Sequence, residues 1–234
     1  MVQRRAVCLI SGGIDSCVTA FLAKKEGYEV YALSFDYGQQ HKREVECAKK
    51  IASAVKAKNH IVFDVDLQRF GGSSLVDESS SLPRNHDLED IGRSIPSTYV
   101  PARNTVFLSI GLAYAEVVDA DALFIGTTAT DYAGYPDCRP EYIKAFQKMA
   151  DLATRRGVDG KPINIKAPLL YLTKAEIIKE GLGLGAPLEK TWSCYLGGEK
   201  ACGRCDSCLL RLKGFEEAGV RDPVEYEFLP DWYK

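Results

Sequence analysis

A short, uninterrupted apolar run covers residues 6–10 and stops at a serine and two glycines, Ser11–Gly13. Such a run is typical of a strand that is buried on both faces of a parallel sheet. The apolar spacing that follows predicts a helix over 15–26, and Gly27 supplies the left-handed residue that commonly ends a helix. The pattern therefore begins with a strand, a glycine-containing loop and a helix.

The same alternation continues along the chain. It predicts strands over 28–35 and 61–67 on either side of an amphipathic helix over 42–55. Alternating strands and helices favour an α/β fold with a doubly wound, mostly parallel sheet. The later predicted elements are helices over 104–118, 140–155 and 174–181 and a strand over 122–126.

Between residues 69 and 103 the periodicity fails, and Ser, Gly and Pro dominate. This pattern predicts a long loop. Because long loops in compact domains are usually functional or disordered, the segment is a candidate active-site lid or interface arm, and the sequence leaves both roles open.

Length and charge narrow the class of protein. With 234 residues the chain is long enough for one α/β core and a small appendage, which we place at 1–190 and 191–234. The formal net charge is -2, from 30 basic and 32 acidic residues, so no global basic field favours nucleic acid. We expect small-molecule substrates and no direct contact with nucleic acid.

The apolar run at 6–10 is too short for the core of an export signal, and the longest apolar stretch, 105–118, is too short to span a bilayer. We therefore expect a cytoplasmic protein that does not enter the membrane. In that compartment its eight cysteines are expected to be reduced thiols.

Four cysteines near the C-terminus have metal-ligand spacing. Two ligands separated by two residues form the turn that holds tetrahedral zinc, and four thiolates leave no coordination position for water. The sequence therefore predicts one structural zinc ion, with an iron–sulfur cluster or disulfides as alternatives. The predicted ligands are Cys194, Cys202, Cys205 and Cys208.

The glycine loop after the first strand has the features of a phosphate site. Its glycines let the backbone approach a phosphate closely, and the next helix directs the positive end of its dipole there. The spacing excludes a Walker P-loop, which needs a following lysine. A glycine-rich turn without a ligand is the alternative.

The six-residue pattern Ser-Gly-Gly-Ile-Asp-Ser at 11–16 resembles the PP-loop of the ATP pyrophosphatase superfamily, whose members form adenylated intermediates. The resemblance implies an adenine pocket at 32–35, by position, and an adenine nucleotide alpha-hydrolase-like fold. The ATP-binding residues that it implies are Leu9, Ile10, Ser11, Gly12, Gly13, Ile14, Asp15, Ser16, Cys17, Val18 and Thr19.

Further segments, at 34–39, 99–105, 131–140 and 191–195, resemble the 7-cyano-7-deazaguanine synthase (QueC) family within this superfamily. The resemblance covers nearly the whole chain, although Thr127–Thr128 departs from the Val-Asn expected there. It implies an ATP-dependent ligase that converts 7-carboxy-7-deazaguanine and ammonia to the nitrile through an adenylated carboxylate and an amide, for queuosine or archaeosine. It also implies a homodimer.

Roles for individual residues follow from this resemblance. Asp15 is a candidate catalytic residue, expected to hold Mg²⁺ or to cap its helix. Arg103 and Arg139 are candidate catalytic residues that bind phosphate or the substrate carboxylate, with surface ion pairs as the alternative. Candidates for the deazaguanine ring are Asp131 and Asp137 for its N–H edge and Tyr132 and Tyr135 for stacking, with packing or capping as the alternative.

Two other functions remain open at this point. A tRNA-thiolating enzyme of the same superfamily would need a reactive thiol, for which Cys138 is the candidate, and a basic surface. A nucleotide-binding module without turnover would bind ATP and not consume it.

Overall fold

The computed structural model describes residues 3–77, 79–129 and 135–234. Within them, five parallel strands form one sheet in the order β3-β2-β1-β4-β5. The predicted α/β fold with a parallel sheet is confirmed. The strands are β1 (Arg5–Leu9), β2 (Glu29–Asp36), β3 (Asn59–Asp64), β4 (Ala122–Phe124) and β5 (Asn164–Lys166).

Helices cover both faces of the sheet. One apolar core lies between the sheet and α1, α2, α6 and α7, and a second lies between the sheet and α3 and α4. The fold is therefore doubly wound. The helices are α1 (Ile14–Lys25), α2 (Arg43–Ala54), α3 (Arg103–Val117), α4 (Pro140–Ala153), α5 (Arg155–Val158), α6 (Lys174–Gly183) and α7 (Asp206–Ala218).

The continuous apolar run of the first strand serves both cores. Successive side chains of a strand point to opposite faces, so Ala6 and Cys8 pack into the first core while Val7 and Leu9 pack into the second. All four side chains are buried. This explains why the run shows no polar alternation.

Several elements differ from the sequence prediction, and β3 spans Asn59–Asp64 in place of the predicted 61–67. The helix predicted over 140–155 ends at Ala153, because Thr154 adopts an extended backbone. The Thr154 hydroxyl accepts a hydrogen bond from the Gly157 amide, 3.0 Å away, and so caps the start of α5. β5 was not predicted, because three residues are too few for a periodicity. α7 begins directly after Cys205, contains Cys208, and was not predicted either.

The segment predicted as a long loop, 69–103, begins inside a short 3₁₀ helix, Gln68–Phe70, and ends at the first residue of α3. Its described part between them, 71–77 and 79–102, we call the strap. In its described part it forms no helix and no strand, only one isolated bridge between Arg84 and Cys205. The Asn85 amide donates to the Arg204 carbonyl, 2.8 Å away, and His86 lies 3.1 Å from the Asp206 carboxylate. The strap is therefore attached to the C-terminal segment 191–234, which contains the four clustered cysteines and which we call the cysteine module.

None of the helices in the described ranges combines the length and the apolar character that a membrane crossing requires.

Candidate active site and metal centre

A cavity of about 320 Å³ opens where β1 and β4 end. The chain leaves these neighbouring strands toward opposite edges of the sheet, and ligands of doubly wound folds bind at such a switch point. The rest of the wall comes from the connection between β2 and α2, the starts of α3 and α6, and the cysteine module, with single residues of other segments, Leu75, Tyr135 and Cys138.

The glycine loop after β1 forms the floor of this cavity. Gly12 has a φ of +98°, and a Cβ there would lie 2.1 Å from the Glu44 carbonyl oxygen, so only glycine fits. Gly13 precedes α1, and no side chain caps the helix. The Ser16 hydroxyl accepts from the Ser11 amide at 3.2 Å and donates to the Gly13 carbonyl at 3.0 Å. The free amides of the first turn and the helix dipole make this an anion site.

The structure brings most of the predicted ATP-binding segment to the cavity. Gly12 is turned toward α2, and its carbonyl accepts from the Trp192 amide at 2.9 Å. Cys17, Val18 and Thr19 are buried in α1, away from the cavity wall. The predicted residues that line the wall are Leu9, Ile10, Ser11, Gly13, Ile14, Asp15 and Ser16.

Sequence reasoning missed Lys174. Its Nζ lies 2.6 and 2.8 Å from the two carboxylate oxygens of Asp15. A capping box between Thr173 and Glu176 fixes the start of α6, and Gly214 leaves room for the lysine stem, since a Cβ there would lie 2.3 Å from the Lys174 Cγ. The sequence signals the helix start but not its approach to the glycine loop.

Arg103, at the start of α3, lines the opposite side of the cavity. Its Nη1 donates to the Tyr37 hydroxyl at 3.3 Å, and the guanidinium carbon lies 5.5 Å from the centre of that ring. Burial raises the pKa of the Tyr37 hydroxyl to about 12, so the hydroxyl stays neutral. A partly buried guanidinium is thus presented to the cavity for an anionic group.

Other predicted substrate residues lie in different surroundings. Asp137 is buried and does not line the cavity. Its carboxylate accepts a hydrogen bond from the Asn104 backbone amide at 3.0 Å and so caps the start of α3. Tyr135 lines the cavity, with its hydroxyl 3.1 Å from the Thr98 hydroxyl. Asp131 and Tyr132 lie outside the described residues.

Arg139 does not reach the cavity. Its side chain is exposed and donates through Nε to the Pro136 carbonyl at 3.1 Å. It is absent from the described cavity wall, so the geometry supports a catalytic role for Arg103 and not for Arg139. Thr127 and Thr128, where the sequence departs from the family pattern, do line the wall.

A second residue missed from the sequence is Glu44, at the start of α2. Its side chain lines the cavity. Burial raises the pKa of its carboxyl to about 7, against the opposing effect of the Arg103 guanidinium.

The four predicted metal ligands form one cluster. All four side chains are buried, and their sulfur atoms lie within 4.8 Å of one another. Cys202 and Cys208 are 3.9 Å apart, close to the ~3.8 Å that two ligands of a tetrahedral ion with Zn–S bonds of about 2.3 Å would show. Backbone amides of Cys202 and Cys205 point to neighbouring sulfurs at 3.4 and 3.3 Å and would stabilise thiolates. The cluster fits a structural metal ion.

The cysteine module is also part of the cavity. Ser193, Tyr195 and Arg211 line its wall. Arg211 forms a buried ion pair with Asp222, with Nε–Oδ2 and Nη2–Oδ1 distances of 2.7 and 2.9 Å, and donates to the Thr191 hydroxyl at 2.8 Å. The segment that carries the cysteine cluster therefore also supplies residues that face the cavity.

The chain matches known proteins over almost its full length. The model of the family described as "Queuosine biosynthesis protein QueC" matches residues 5–219. A 7-cyano-7-deazaguanine synthase of Trichodesmium erythraeum is 55% identical over 220 residues, which cover 94% of this chain and 99% of that protein. One from Thermoplasma acidophilum is 55% identical over 234 residues, covering 100% and 97%.

Similarity to solved structures is more distant. The structure of NMN synthetase from Francisella tularensis is 18% identical, with a TM-score of 0.49, and the match covers 93% of this chain and 78% of that one.

Proposed function

The chain belongs to the family of the queuosine biosynthesis protein QueC, and we propose from this premise that it converts 7-carboxy-7-deazaguanine to 7-cyano-7-deazaguanine with ammonia and ATP. It is an ATP-dependent carbon–nitrogen ligase. The observation that carries the assignment is the uncapped start of α1 at the glycine loop, which forms an anion site in a cavity large enough for a nucleotide.

In the first half of the reaction, a carboxylate oxygen of the substrate attacks the α-phosphorus of ATP and pyrophosphate leaves. Ammonia then adds to the carboxyl carbon, AMP departs, and loss of a proton gives the amide. Amide groups of the first turn of α1 and the Lys174 ammonium group stabilise the charge on the departing pyrophosphate. Arg103 orients the anionic substrate.

In the second half, the amide oxygen attacks the α-phosphorus of a second ATP, and pyrophosphate leaves again. Loss of AMP and of the remaining N–H protons forms the nitrile. The same anion site serves both activations. Mg²⁺ bound to the nucleotide would neutralise part of the phosphate charge, and Asp15 would be its protein ligand, with Mg²⁺ replacing the Lys174 ammonium group on at least one carboxylate oxygen.

We also propose zinc as the metal of the cysteine cluster, in a structural role. The buried thiols, their mutual distances and the amide hydrogen bonds to sulfur support this. A homodimer and a cytoplasmic location stay predictions, and light scattering tests the first.

The surroundings of Cys138 argue against a tRNA-thiolating activity. Its thiol is buried, lies 3.3 Å from the Asn104 side-chain amide, and has a pKa raised by burial. Cys138 does line the cavity, but a thiol that transfers sulfur needs thiolate character, and burial disfavours the thiolate here.

The test is a mass-spectrometric assay of the metal-loaded protein with 7-carboxy-7-deazaguanine, ammonium, Mg²⁺ and ATP. Nitrile with AMP and pyrophosphate is the expected result. ATP binding without consumption, under conditions where the acid binds, would contradict the proposal and favour a nucleotide-binding module.

A further inference from the structure

Among the described residues, two carboxylates line the cavity, Asp15 and Glu44. Lys174 holds both oxygens of Asp15. Glu44 has no comparable partner: in the described part of the chain no hydrogen bond or ion pair to its carboxylate is found within 4.0 Å, and its charged neighbour is Arg103. A carboxylate in a cavity needs a positive or hydrogen-bond-donating ligand to offset its desolvation.

The backbone around Glu44 is held on two sides. Its carbonyl oxygen packs against Gly12 of the glycine loop. The neighbouring Arg43 stacks on Trp192, with its guanidinium carbon 3.7 Å from the ring centre, and donates to the Gly198 carbonyl. The first turn of α2 is thus fixed between the glycine loop and the cysteine module, so the carboxylate is presented to the cavity from a rigid element.

The proposed substrates differ in what they offer this carboxylate. ATP phosphates and the substrate carboxylate carry negative charge and would be repelled. The deazaguanine ring presents a ring N–H next to an exocyclic amine, two parallel donors that match the two oxygens of one carboxylate. Aromatic side chains, Tyr37 and Tyr195 among them, line the same cavity and suit a planar ring.

We propose that Glu44 binds the N–H and amino edge of the deazaguanine ring and so determines that the enzyme accepts a 2-amino heterocycle. This inference rests on the proposed function. It gives Glu44 the binding role that the sequence predicted for Asp131 and Asp137. Asp131 lies outside the described residues, and the Asp137 carboxylate caps α3.

The experiment compares the wild type with Glu44→Gln on two acids, 7-carboxy-7-deazaguanine and the analogue that lacks the 2-amino group. Glutamine keeps one acceptor oxygen and replaces the other oxygen with an NH₂ group. That group is a donor and would face one of the two donor groups of the substrate. We expect the KM for the natural acid to rise about 10- to 100-fold, the range for losing a hydrogen bond to a charged group, and the preference over the analogue to fall by a similar factor. The KM for ATP should not change.

Glu46→Gln is the matched control, because Glu46 lies on the same helix with an exposed side chain that pairs with Lys49 at 2.8 Å. Thermal unfolding and ATP binding of Glu44→Gln report whether the variant is folded.

Three outcomes would overturn the proposal. An unchanged preference between the two acids excludes recognition of the amino edge. A fall in kcat with both KM values unchanged would mean that Glu44 accepts a proton from ammonia. A raised requirement for Mg²⁺ would mean that Glu44 is a metal ligand. Failure of the wild type to form nitrile from either acid would instead contradict the proposed function itself.

Discussion

The Lys174 ammonium group lies within hydrogen-bond distance of both carboxylate oxygens of Asp15, 159 residues earlier in the chain. Both side chains are partly buried, with exposures of 18% and 25%. The pair joins the start of α6 to the first turn of α1 at the edge of the anion site. A positive charge is therefore fixed beside the place where pyrophosphate would leave.

Replacing Lys174 with methionine is expected to lower kcat at least about 100-fold, the usual effect of removing one group that stabilises transition-state charge. Lys174→Arg keeps the charge and should recover part of the activity. The measurement is steady-state release of pyrophosphate. Lys179→Met, on the exposed side of the same helix, is the control, and an equal loss there would mean that the effect comes from α6 as a whole.

Two adjacent glycines should respond differently to alanine. At Gly12 a Cβ would collide with the Glu44 carbonyl, so Gly12→Ala should lower the thermal unfolding temperature and abolish ATP binding. At Gly13 the nearest atom to a Cβ would be the Ser11 hydroxyl at 3.6 Å. Gly13→Ala should therefore fold normally and bind ATP more weakly. Calorimetry of both variants checks this, and equal folding defects would contradict it.

Arg103 and Arg139 form a natural pair for mutagenesis. Arg103 lines the cavity, whereas Arg139 is exposed and bonded to Pro136. We expect Arg103→Met to lower kcat/KM for the acid by at least about 100-fold, in the range observed for lost charge-stabilising groups, and Arg139→Met to have little effect. A large loss on Arg139→Met would restore the role predicted from the sequence.

Removal of the metal should affect both stability and activity. The cysteine cluster holds α7 and the attached strap, and the module supplies part of the cavity wall. Chelation under mild denaturant is therefore expected to lower the unfolding temperature and to weaken ATP binding, and added zinc should reverse both. Elemental analysis that finds iron in place of zinc would contradict the assignment.

The buried ion pair between Arg211 and Asp222 predicts a large stability effect. Both side chains are at most 3% exposed, so Asp222→Asn leaves an uncompensated charge and should cost about 3 to 5 kcal/mol in the free energy of unfolding. Denaturant titration measures it. Glu217→Gln removes an exposed partner of Lys213 and should change stability little, and similar losses in both variants would contradict the argument.

Local patterns in the sequence predicted most of the secondary structure. The apolar run at 6–10 predicted β1, and the glycines after it predicted the glycine loop, because the conformation of each is determined by residues adjacent in the sequence. The three residues of β5 carry too little pattern. Leu209, Leu212 and Phe215 have the spacing of a helix, but the prediction for this region considered only the cysteine ligands and so missed α7.

The site was predicted where ligands follow one another in the chain. The four cysteine ligands lie within one short segment of the chain, and the structure confirms that they form one cluster. Lys174 and Glu44 reach the cavity only through the packing of α6 and α2 around the glycine loop, and neither carries a motif that reports this. Asp137 looked like a binding residue because the sequence does not show the start of α3 beside it.

The hydrogen bond from the Trp192 amide to the Gly12 carbonyl has a consequence for biosynthesis of the protein itself. The glycine loop lies far before its backbone partner Trp192 and the wall residue Arg211 in the chain, so the ribosome makes it well before them. Contacts of such high sequence separation form late and slow folding. The complete site is therefore expected to form only after the cysteine module has been synthesised.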